Sequence, residues 1–179
     1  MLEATRPWTL EELHRLPDDG NKYELVRGEL FVTPPPSTGH EDVLARLTRI
    51  LDPYVAEHRL GYVFHPRSVI QSDGSEVEPD LMVRAPMPSG TTEWRNAPIP
   101  ILVVEVLSGS TRRRDLGAKR ELYLDAGVTE YWVIDRERRT VRVITKGAAD
   151  RVIDNELIWT PSQPRSPLQF SVERLFIDE

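Results

Sequence analysis

The run Ile101 to Leu107, ILVVEVL, is apolar at every position except Glu105. A short Val- and Ile-rich run of this kind predicts a strand buried on both faces. Thr129 to Asp135 is a second such run, and between the two the period changes. At about 100° per residue, Leu116, Lys119, Leu122, Tyr123 and Ala126 share one face. A helix is therefore predicted over Arg112 to Ala126, with Arg113, Arg120 and Glu121 turned to solvent. Ser108 to Thr111 break the first strand, Thr111 is placed to cap the helix, and Gly127 suits the position just past its end. Strand, helix and strand within about 35 residues make a βαβ unit with a right-handed crossover.

The rest of the chain falls into shorter elements. Thr9 with Glu12 forms a capping box, which predicts a short helix over Glu11 to Leu16. Tyr23 to Val26 and Glu29 to Val32 flank Arg27-Gly28 and predict a hairpin, with Glu24 and Glu29 facing solvent. Pro34 to Gly39 is a stiff connector. From His40 to about His58 the chain is amphipathic, with Val43, Leu47, Ile50, Leu51 and Tyr54 on one side; Pro53 is expected to kink or interrupt this helix. Gly61 to Gln71 and Val77 to Arg84 predict a second hairpin, which delivers Asp80. Ala85 to Pro100 is a long loop rich in proline and glycine, from which Trp94 and Arg95 are expected to pack back onto the domain, with stacking on a base or bracing a partner as the alternative. Thr140 to Thr145 is expected to pair with Tyr131 to Asp135. One or two short strands lie in Arg151 to Trp159, Pro161 to Pro167 is extended, and Ser171 is placed to cap a last helix over Val172 to Phe176. The predicted architecture is a single α/β domain over residues 1–179. Its mixed β-sheet has Ile101 to Leu107 at the centre and helices on its flanks.

Composition narrows the function. At 179 residues the chain is long enough for one domain with a real core. It has no cysteine, which excludes disulfides and thiolate metal sites and agrees with a cytoplasmic location. No apolar run reaches the roughly 18 residues of a membrane span, and Met1-Leu2-Glu3 does not open a signal peptide. The net charge of −6 counts against a nonspecific nucleic-acid binder. It leaves room for a nuclease, because bound divalent cations change the charge of a site. Arg112-Arg113-Arg114 reads as a solvated first helical turn, with a phosphate clamp as the alternative. Arginines at a helix start oppose the dipole, which favours the latter.

Two charges stand where the apolar pattern demands none. Glu105 lies inside the central strand, and Lys119 lies on the inward face of the helix. A carboxylate so placed is costly unless paired. Upstream, Glu78-Pro79-Asp80 precedes the strand LMV, and Pro79 holds Glu78 extended, so that Asp80 stands at the strand's mouth. Asp115 lies one turn before Lys119. These residues make either a buried structural ion pair or a catalytic constellation.

Pro79-Asp80, Glu105 with Val106, and Lys119 resemble the PD-(D/E)XK nuclease signature. The lysine of that signature normally stands two residues after the second acid; Leu107 occupies that place here, and Lys119 takes its part from the helix. The wider set YELVRGEL, His40, EPDLMV, VVEVLS, Lys119 and GVTEYWVID resembles the Uma2 family of restriction-endonuclease-like proteins, over Tyr23 to Ile144. The resemblance implies hydrolysis of DNA phosphodiesters by a homodimer. Asp80 and Glu105 would hold Mg²⁺ or Mn²⁺ through oxygen, with the Val106 carbonyl as a further ligand. Lys119 would orient or deprotonate the attacking water, or neutralise developing charge. His40, Asp115 and Ser108 would stand around them, Asp115 positioning Lys119. Two rivals are a nuclease fold that serves only for binding or dimerisation, and a metal-dependent hydrolase of a small phosphate or nucleotide.

Overall fold

A computed structural model of the chain describes residues 6–90, 92–108, 112–161 and 166–177. The expected cap at Thr111 and part of the extended 161–167 segment lie outside these. Helix α1 (Leu10–Leu13) carries the expected capping box, and leads to β1 (Lys22–Val26), β2 (Glu29–Thr33) and the long helix α2 (Thr38–Glu57). Four short strands follow: β3 (Tyr62–Phe64), β4 (Ile70–Ser72), β5 (Ser75–Val77) and β6 (Leu81–Arg84). The expected central strand is β7 (Leu102–Val106). Helices α3 (Arg112–Asp115) and α4 (Ala118–Ala126) lead to β8 (Glu130–Asp135), β9 (Thr140–Ile144), β10 (Arg151–Ile153), β11 (Glu156–Trp159) and β12 (Leu168–Ser171). Among the described residues no helix is long and apolar enough to cross a membrane.

A six-stranded mixed sheet runs β10-β9-β8-β7-β6-β3, and β7 sits inside it, parallel to β8 and antiparallel to β6. All five residues of β7 are buried. Side chains alternate across a strand. Leu102, Val104 and Val106 accordingly join the α2 core with Val43, Leu47 and Leu51, while Val103 joins the other core with Leu122 and Tyr123 of α4. Glu105 shares the Val103 parity, so its carboxylate points toward α4. A second sheet, β2-β1-β5-β4, lies on the same side and contributes Val26, Ile70 and Val77 to that core.

The structure departs from the sequence pattern in several places. Gly61 to Gln71 is not one strand, because β3 belongs to the six-stranded sheet and β4 to the four-stranded one. Val77 to Arg84 divides in the same way. The chain leaves one sheet at Val77 and enters the other at Leu81, and Pro79, which has no N–H to offer a ladder, stands in the gap. The expected antiparallel pairing holds, β4 with β5 across the turn and β3 with β6 beyond it, but Asp80 stands in the crossing between the two sheets. Helix α2 runs on through Pro53, since Leu51, Tyr54 and Val55 bury the same face on both sides of it. The predicted helix from Arg112 is broken at Leu116-Gly117. Gly117 has ψ −103°, and a Cβ there would come within 2.8 Å of the Arg113 carbonyl oxygen. The last helix is a 3-10 turn, Val172–Leu175, without a side-chain cap from Ser171. Trp94 packs back as expected, edge-on to Phe64 and under the Arg84 guanidinium at 5.6 Å, whereas Arg95 stays exposed, paired with its loop neighbour Glu93.

Candidate active site

The acid within β7 and the lysine of α4 meet. Lys119 contacts Glu105 Oε1 and donates to Glu24 Oε1 at 2.8 Å. Tyr123, one turn further along α4, donates its hydroxyl to Glu105 Oε1 at 2.6 Å. Glu24 also accepts from the Glu78 amide at 3.0 Å and lies 3.6 Å from Arg114 Nη2. Its expected solvent-facing role is overturned, for it is 0% exposed. The alternation that set it apart from Leu25 was sound, but the face it occupies is covered by α4 and not by water.

Asp80 closes the other side. Its Oδ2 accepts from the Val106 amide (2.9 Å) and from His40 Nε2 (3.0 Å), and its Oδ1 accepts from Lys22 Nζ (3.0 Å). Val106, expected to offer its carbonyl, holds Asp80 through its N–H. Asp115 is buried, but its carboxylate meets Arg114 Nε at 3.5 Å, and no hydrogen bond joins it to Lys119. The solvated reading of the arginine run also fails for two of its members. Arg112 pairs with Asp135, and Arg114 reaches Glu24 and, at 2.8 Å, the Thr33 hydroxyl; only Arg113 is exposed.

These groups surround a cavity of about 610 Å³. Asp80, Glu105, His40 and Ser108 line it, and Lys22, Arg67, Arg114 and Arg136 supply positive charge around them. Lys119 does not line it.

Burial raises carboxyl pKa values and lowers those of ammonium groups unless a partner outweighs it. Burial pushes Glu105 up to about 8, against the Lys119 charge and with help from nearby Asp80. For Asp80 burial is outweighed, chiefly by Lys22 and then His40, and its carboxyl is held far below the usual range. Glu24 is likewise lowered, because Lys119, Lys22 and Arg114 overcome its burial. Lys119 is raised in spite of burial by Glu105 and Glu24, and Lys22 by Asp80 and Glu24. His40 is raised against burial by its bond to Asp80. Two lysines and two carboxylates therefore keep their charge, and Glu105 is the acid whose charge the site supports least.

Sequence reasoning missed Lys22, Glu24 and Tyr123 as site residues, and had Arg114 only as part of a basic run. A signal was present for the first two: residues two apart on a strand share a face, so Lys22 and Glu24 had to point the same way as a charged pair. Tyr123 had the spacing of a neighbour to Lys119, but an aromatic on an inward stripe reads as core.

A family model described as "Uma2: Putative restriction endonuclease" matches residues 10–173. The structure matches a crystal structure from Anabaena variabilis described as "a putative nuclease belonging to DUF820". The TM-score is 0.76 at 21% identity, covering 95% of this chain and 98% of that one. At that identity the likeness is one of fold. No curated protein matches the chain.

Proposed function

The chain belongs to the Uma2 family and has a restriction-endonuclease-like fold, and from that premise we propose that it is a metal-dependent endonuclease hydrolysing DNA phosphodiesters. The observation that carries the proposal is the pairing of Asp80 and Glu105, buried carboxylates that line one cavity together with Lys22, Arg67, Arg114 and Arg136.

The donor set fits a hard divalent cation. Both ligands offer carboxylate oxygen, which Mg²⁺ and Mn²⁺ prefer, and such ions keep several waters, so two acids suffice. Burial and the nearby Asp80 charge raise the Glu105 carboxyl in spite of Lys119, and a cation between the two acids would offset both. No cluster of three or more metal-ligating side chains occurs among the described residues. Asp80 and Glu105 would hold the ion, which when bound lowers the pKa of water and stabilises charge at phosphorus. The chain's own groups fix these ligands. His40 and the Val106 amide orient Asp80, while Tyr123 and Lys119 orient Glu105. In the hydrolysis, water's oxygen bonds to phosphorus, the bond from phosphorus to one sugar oxygen breaks, and a proton from water ends on that oxygen.

The test is cleavage of plasmid and duplex oligonucleotide DNA in Mn²⁺, comparing wild type with Asp80→Ala. Cleavage by wild type and none by the variant is expected; equal rates would overturn the proposal. A cavity of about 610 Å³ also has the size of a small-molecule pocket. That favours, as the second reading, a hydrolase of a nucleotide or small phosphate. Competition decides between them: duplex DNA should suppress nucleotide hydrolysis if DNA is the substrate.

A further inference from the structure

Two lysines stand at the acid pair, and they differ in where they face. Lys119 is sealed. Its side chain is 0% exposed, it is tied to Glu24 and Glu105, and it does not line the cavity. Lys22 does line the cavity, with its side chain 17% exposed. An ammonium has three donors. Lys22 gives one to Asp80 Oδ1 at 3.0 Å and one to the Glu78 carbonyl at 3.1 Å, and no other acceptor among the described residues engages it. The third is left for whatever enters the cavity. The stem is placed by β1, in which Lys22 pairs with Thr33 of β2 and Leu25 with Glu76 of β5.

We propose that Lys22 is the catalytic lysine of this site, the ammonium that donates to a non-bridging oxygen of the reacting phosphate, while Lys119 is a positioning residue acting through Glu105. The proposal rests on the nuclease reading above. Its logic is distance: Nζ is already 3.0 Å from an acid whose task is to bring the reacting phosphate close. A lysine binds phosphate as a compact point charge. Lys22 keeps its proton throughout, so it enters the balance of the reaction only by stabilising charge on phosphorus's oxygens. Tertiary packing puts this lysine, which lies 97 residues before Lys119, at the mouth, and seals the lysine of the helix behind the acids.

The experiment uses Lys22→Gln, Lys22→Cys and Lys119→Gln, with Asp80→Ala as the dead control. The chain has no cysteine of its own, so Lys22→Cys carries a unique thiol. Alkylating it with bromoethylamine in denaturant, then refolding, restores an ammonium at nearly the original length. Cleavage kinetics in saturating Mn²⁺ and calorimetric binding of thymidine 3′,5′-bisphosphate without metal are both read. With wild type active, kcat should fall roughly 10²–10³-fold in Lys22→Gln, the range for losing one donor to a developing oxyanion. KM should change little, bisphosphate binding should weaken, and aminoethylated Lys22→Cys should recover much of the rate over the unalkylated form. Lys119→Gln should leave bisphosphate binding intact. Wild-type kcat in Lys22→Gln, or no recovery on aminoethylation, would overturn the assignment of Lys22 and leave the nuclease reading standing. If wild type itself fails to cleave, the nuclease reading is what fails. Bisphosphate binding then decides Lys22: equal binding in wild type and Lys22→Gln overturns it, and loss in the variant keeps it as the phosphate contact. Should Lys22→Gln not fold, the comparison of Lys22→Cys before and after alkylation carries the same decision.

Discussion

At the scale of single residues, the site is a balance of buried charges, and removing one leaves another stranded. Lys119 serves two acids, so Lys119→Met leaves both Glu24 and Glu105 without it. Breaking a buried pair by deleting one partner costs about 3–5 kcal/mol. Chemical denaturation should show a loss in that range. Adding Glu24→Gln to Lys119→Met should restore part of it, because one stranded charge is then gone; a double variant worse than the single would mean that the pair does not couple. For the ligands, calorimetry should find Mn²⁺ binding weakened in both Asp80→Ala and Glu105→Ala, and unchanged affinity would make both acids structural. A different acid shows the pH dependence most cleanly. Asp135 accepts from the Arg138 amide at 3.1 Å and from Arg112 Nη1 at 3.1 Å. Burial would raise its pKa, but the Arg138 amide and the arginine charges hold it below the ordinary value. A depressed carboxyl contributes stability above its unfolded pKa of about 4, and that contribution is lost as pH falls through the lower folded value. Asp135→Asn should therefore melt lower than wild type at pH 7, and the gap should close on acidification below about pH 4. A constant gap would assign its effect to packing.

At the scale of elements, the site depends on where strands and helices stop. The hairpin of β1 and β2 was legible in the sequence, since Arg27 and Gly28 both adopt positive φ, as a tight two-residue turn requires. The break between α3 and α4 was not. The apolar stripe from Leu116 to Ala126 suits one helix, and only the approach of the Arg113 carbonyl at Gly117 shows why the chain uses two. The consequence is functional: the break lets Arg114 reach Glu24 while Lys119 starts a separate face. Gly117→Ala should cost about 1–3 kcal/mol, the usual penalty for crowding a packed position. It should also lower cleavage by moving α4. A variant as stable and active as wild type would show that the backbone relaxes freely there.

For the whole molecule, the net charge is −6, and the cavity lining mixes both signs: Lys22, Arg67, Arg114 and Arg136 stand among Glu41, Glu78, Asp80, Glu105 and Asp115. Arg67 is 61% exposed and, among the described residues, pairs with exposed Asp18 and, at 3.9 Å, with Glu78, so it can turn to a phosphate. If duplex DNA binds over this cavity, affinity should fall with salt, and Arg67→Ala should reduce the log–log slope by about 1. An unchanged slope would place the DNA path elsewhere.

The sequence by itself determined the parts that depend on local periodicity. It marked β7 as central, the α4 face that carries Lys119, the pairing of β8 with β9, and the inward charges Glu105 and Lys119, because a charge inside an apolar period is visible without coordinates; Asp80 was marked by Pro79-Asp80 ahead of β6. What it did not determine was which face of a half-polar strand meets water. Glu24 and Lys22 alternate with apolar neighbours just as surface residues do, and the four-stranded sheet folds over α4 only in three dimensions. Nor could Val77 to Arg84 be seen to change sheets, since a strand has the same pattern whichever sheet it joins. Side-chain period depends on neighbours along the chain, whereas burial depends on what packs across it. That is why the acids were legible from sequence, and why the lysine facing the cavity was settled by tertiary structure.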